Sequence, residues 1–185
     1  MLNTKRISVV TGLAILLPIL LAGSALAEPA TGQRVHVAKQ LSELKEAAWE
    51  MRKEAARLDA MTPNRQLSWE SHIYRLGSLK DQVNQMGKML AQLESQRGIA
   101  AEEQALAIDH ARLHLVPVAE NVTAAIEMVN ENRHSVYWGD YSEAVSGIEA
   151  HARELHSKLD TVVNYDSARI RLDQLELQPI TAGGE

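Results

Sequence analysis

From Val37 onward, apolar residues recur at alternating intervals of three and four, the spacing that lines one side of an α-helix. Four such ladders can be read along the chain. The first runs Val37, Leu41, Leu44, Ala48, Met51, Ala55, Leu58. The second runs Trp69, His72, Leu76, Leu79, Val83, Met86, Leu90, Leu93. Ile108, Ala111, Leu115, Val118, Val122, Ala125 and Val129 make the third, and Tyr141, Val145, Ile148, Ala152, Leu155, Leu159 and Val162 the fourth. No comparable stretch alternates with the period of two that a half-buried strand needs. The residues between the rungs are mostly Ala, Glu, Gln, Lys and Arg, all strong helix formers.

The punctuation marks the expected ends. Thr62-Pro63 supplies an N-cap and a proline for the first helical position of the second helix. Gly98 suits a left-handed residue closing that helix, and Glu102 and Glu103 suit the positive end of the third. Asp140 and Glu143 have capping-box spacing for the fourth, after a turn across 130–139. Pro117 lies inside the third ladder and predicts a kink near Leu113. Residues 164–177 extend the fourth helix or form a short fifth piece, and 28–33 and 179–185 read as loose ends. Short connections between long helices make neighbours antiparallel. The fold class is therefore all-α: an antiparallel up-down four-helix bundle with long helices, each about 25 to 35 residues, as one domain over 28–178. The alternative is an extended helical hairpin whose stripes pair between chains as a coiled coil.

Ahead of the ladders stands a segment of another kind. Lys5 and Arg6 precede an apolar run from Val9 to Leu21, interrupted by Pro18, and Ala25 and Ala27 stand in the A-x-A arrangement of a signal-peptidase site. The run is short for a membrane span of about 20 residues. Cleavage of a signal peptide, residues 1–27, is expected, with a periplasmic or secreted product and no stable membrane anchor afterwards. Lys5 and Arg6 are the leader's only charges, so its removal takes the formal net charge from −5 to −7 and leaves 158 of 185 residues. An acidic chain without a basic cluster is a poor match for nucleic acid. The chain has no cysteine, which excludes a lipid-bearing cysteine, disulfides and thiolate ligands.

Two constellations point toward cofactors. His110 and His114, four apart, face the same side of one helix, and neutral imidazoles ligate zinc, copper and nickel. Antiparallel packing sets His114 level with 152–156 of the fourth helix, bracketed by His151 and His156, and brings Met86 and Met89 near the level of His110. Solvated histidines beside the stripes are the plain alternative. His72, by contrast, occupies a ladder rung, level with Met51 and Met128, so a non-covalent haem with His72, Met51 or Met128 as axial ligands is the second candidate. Its plain alternative is a hydrogen-bonded core histidine beneath an aromatic cap of Trp69, Tyr74, Tyr137, Trp138 and Tyr141. The paired inward E-x-x-H of di-iron bundles is missing: Glu131 and His134 have the spacing but fall in a turn. Nothing resembles a nucleophile elbow or a phosphate-binding glycine loop. The expectation is an exported, non-catalytic bundle that needs no cofactor and binds or scaffolds a protein, or another copy of itself, through a helix face. A metal or haem carrier or sensor is the alternative.

Overall fold

In a computed structural model, residues 28–176 are described, and they form four long helices joined by short turns. Helix α1 spans Glu28–Met61, α2 Trp69–Ser95, α3 Glu102–Glu131 and α4 Gly139–Glu176. The expected leader, residues 1–27, and the tail, 179–185, lie outside the described residues. Side-by-side packing joins α1 to α2, α2 to α3, α3 to α4 and α4 back to α1, with α3 and α4 the most extensive pair. Two short 3₁₀ turns, Arg97–Ile99 and Arg133–Tyr137, complete the connections.

The ladders are the core. Every rung of the first and third is buried, and so are Tyr141 through Leu159 of the fourth. In α2, Trp69 and Val83 are only partly covered. At the end of α4, Val163 is buried while Val162 stands half out. Rungs four apart (Leu155, Leu159, Val163) keep pace with a straight helix of 3.6 residues per turn better than a strict three-four alternation over that length.

Several ends differ from expectation. Thr62 finishes α1 instead of opening α2: its hydroxyl donates to the Leu58 carbonyl at 2.8 Å, and its N–H bonds the same carbonyl. The next helix starts seven residues later, after Ser68. Gly98 sits inside a 3₁₀ turn without a left-handed backbone, because the chain leaves α2 by tightening its last turn. Asp140 lies within the first turn of α4, where its charge favours the helix dipole, and not at the cap. Residues 28–33 continue α1 at its start, with Pro29 in the first turn where its missing N–H costs nothing. Residues up to Glu176 extend α4 and form no fifth helix. Helix α3 runs unbroken through Pro117.

At the end where α1 begins and α4 finishes, Gln104 ties three helices together. Its amide oxygen accepts the Ala101 N–H at 3.1 Å, and its amide nitrogen donates to the Arg34 carbonyl at 3.2 Å and to Asp166 at 2.9 Å. Both side chains are buried.

Candidate functional site

The four candidate metal histidines are only partly gathered. His114 of α3 and His151 of α4 do face one another, with ring centroids 5.9 Å apart, as level-matching of antiparallel helices implies. Burial and the neighbouring His151 hold the His114 imidazole below its ordinary range, while Glu154 pulls the other way. His156 turns to the opposite flank of α4. There it packs on Trp49 of α1, with centroids 5.0 Å apart, and lies 3.5 Å from the Arg52 guanidinium. Met86 and Met89 line a groove between α1 and α2 beside Glu43, Glu46 and Glu50, away from the α3–α4 pair. The level of a residue could be reckoned from sequence, but rotation about the helix axis separated these groups. Among the described residues, no group of three or more His, Cys, Asp or Glu side chains is placed to hold a metal ion.

His72, on α2, is 1% exposed, as its rung requires. Its Nδ1 lies 3.0 Å from the hydroxyl of Tyr141 on α4, and its Nε2 is buried without a partner. Burial pushes the imidazole below its ordinary range and the tyrosine above its own, so both are neutral near pH 7. Met51 is fully buried and Met128 packs against the core. Among the described residues, the four best-formed grooves take none of their walls from His72, Met51 or Met128. The Tyr141 bond would leave Nε2 free to ligate, but Nε2 is enclosed in the core and no slot for a planar macrocycle opens beside it, so these residues as packed do not fit a haem.

The richest surface lies at the end formed by the α1–α2 and α3–α4 connections. Tyr137 donates to the Leu67 carbonyl at 3.0 Å, and the Arg133 guanidinium lies 4.4 Å from the ring centre of Trp69, so the two turns are fastened together. A groove of about 780 Å³ runs along the α1–α2 turn past Arg57, Met61, Leu67, Tyr74 and Arg75. Glu54, almost wholly buried, accepts from Arg75 at 2.8 Å and Arg57 at 3.3 Å and so sets both guanidinium groups along it. A second groove, of about 330 Å³, lies on the other side of the same turn between Pro63, Arg65, Tyr137 and Trp138. Tyr74 is 78% exposed, Trp138 52% and Tyr137 38%.

The aromatic cap was legible in sequence; its arginines were not. Only the three-residue step from Glu54 to Arg57 hinted at them, because Arg65, Arg75 and Arg133 come from three other places in the chain. A different exposed feature runs along α3, where Leu106, Leu113 and Val116 are 51%, 63% and 49% exposed. No helix among the described residues is long and apolar enough to cross a membrane. No protein-family model matches the chain, and no curated protein or solved structure is detectably similar to it.

Proposed function

We propose that this is an exported, non-catalytic bundle of the cell envelope that binds another protein through the aromatic end where the α1–α2 and α3–α4 turns meet. The observation that carries the reading is the exposure of Tyr74, Tyr137 and Trp138 beside Arg57, Arg65 and Arg75. Trp, Tyr and Arg dominate the energy of protein interfaces, because they offer large contact area together with directional polar groups. Folding leaves Trp138 and Tyr74 half to three-quarters in water, a disposition that a partner would relieve. Export is supported by the positive start, the short apolar run and the Ala25–Ala27 cleavage pattern.

Photo-crosslinking in the native envelope tests this directly. A crosslinker at Tyr74 or Trp138 should capture one discrete protein, and the same group at Glu127, on the exposed flank of α3, should not. Equal labelling from all three positions would reject the reading. A second reading, self-association, is favoured by the Leu106, Leu113, Val116 stripe on α3. Light scattering distinguishes it, since Leu113→Lys would split a dimer built on that face and leave a partner complex at the aromatic end intact.

A further inference from the structure

Helix α4 meets each of the other three helices through an imidazole. His72 of α2 reaches Tyr141 in the first turns of α4, joining two helices whose backbones stand diagonally apart. Farther along, His114 of α3 faces His151. On its third side, His156 of α4 packs against Trp49 and Arg52 of α1.

A second proton is disfavoured on each of these three rings, most of all on the fully buried His72. The ring of His72 meets Tyr141 as its titratable neighbour and is otherwise enclosed in the core, so a charge there would have no counter-ion. His114 faces His151 and Lys158 from α4 and His110 from its own helix, with Glu154 alone opposing them. The Nδ1 of His156 lies against the Arg52 guanidinium, which can only donate. Protonating that nitrogen would replace a hydrogen bond with two cations in contact. Lys45 adds to the repulsion, and Glu46 and Asp160 oppose it.

We propose that α4 is a proton-released helix: protonation of His72, His114 and His156 undoes its contacts with α2, α3 and α1 together and opens the bundle along α4. All three imidazoles are held below their ordinary value of 6.5, chiefly by burial. The opened chain therefore binds protons more tightly than the closed one. Closure is complete above about pH 6.5 and is lost as pH falls through that value toward the depressed ones. Because the three groups act in the same direction, they make opening cooperative in protons, and surface carboxylates do not share that pH range.

Hydrogen exchange of the full mature chain, corrected for the intrinsic pH dependence, reads this out. Between pH 7.5 and 5, exchange in α4 should rise at least tenfold, ahead of the α1–α2 hairpin, and Trp49 fluorescence should change over the same interval. In the double variant His114→Gln, His156→Gln, whose amides do not titrate, the pH slope should fall by about two protons. Proton NMR titration of the unmodified protein gives a check that does not depend on the variant folding: the three imidazoles should titrate below 6.5. Unchanged α4 protection down to pH 5, an unaltered slope in the folded variant, or imidazoles titrating at or above 6.5 would each overturn the proposal.

Discussion

Gln104 shows how much one side chain can determine. It is 1% exposed, and it satisfies the N–H of Ala101 just ahead of α3, the Arg34 carbonyl of α1 and the buried carboxylate of Asp166 on α4. Leucine fills a similar volume but would take this partner away from all three groups, of which the Asp166 carboxylate is buried. A buried polar group stripped of its hydrogen bond costs about 1 to 3 kcal/mol, so Gln104→Leu should lower stability by about 3 kcal/mol. The midpoint of urea unfolding measures it. An unchanged midpoint would mean that water replaces all three bonds. A hydrophobic ladder makes no mention of such a residue, since Gln104 lies outside the rungs and its partners are about 60 to 70 positions away. His72 is the opposite case. Its rung position announced burial, and the tyrosine that accommodates it came from the aromatic cap already visible in the chain.

Among the helices, glycines separate two meanings that sequence leaves alike. A Cβ added at Gly77 or Gly87 of α2 would meet nothing within 4 Å. At Gly147 of α4 it would stand 2.8 Å from the Asn121 amide of α3. Alanine at Gly77 or Gly87 should therefore raise stability by about 0.5 to 1 kcal/mol through helix propensity alone. Gly147→Ala should lose that gain, because the Asn121 amide must swing aside between the two most closely packed helices. Thermal unfolding of the three variants side by side checks the ranking. A gain at Gly147 equal to that at Gly77 would show that the amide moves freely. The missing N–H of Pro117 removes one helical bond, yet α3 continues on both sides of it.

For the molecule as a whole, the two ends of the bundle have different characters. One is closed by the Gln104 network, and the other presents arginine and aromatic side chains to water. If the second end binds a protein, Trp138→Ala with Tyr74→Ala should weaken the complex by at least 2 kcal/mol, about thirtyfold in affinity, while leaving the unfolding midpoint nearly unchanged. Loss of stability without loss of binding would assign those rings to the fold. Acid sensitivity is also a property of the whole bundle: α4 touches every other helix through an imidazole, so its docking should weaken below about pH 6.5 as a unit.

The number of helices, their buried faces and their antiparallel order followed from spacing alone, because burying a stripe every three or four residues leaves an amphipathic chain few other arrangements. Axial level followed too: His151, one of the two histidines that bracket the level reckoned for His114, lies opposite it. Rotation about each axis did not. A turn of about 100° per residue sends His156 to α1 and Met86 and Met89 into the α1–α2 groove, and only close packing of all four helices selects that rotation. Polar contacts across the bundle, such as Gln104 with Asp166 or Glu54 with Arg75, were decided by tertiary structure as well. Their partners become neighbours only after the apolar stripes have set the distance and angle between helices.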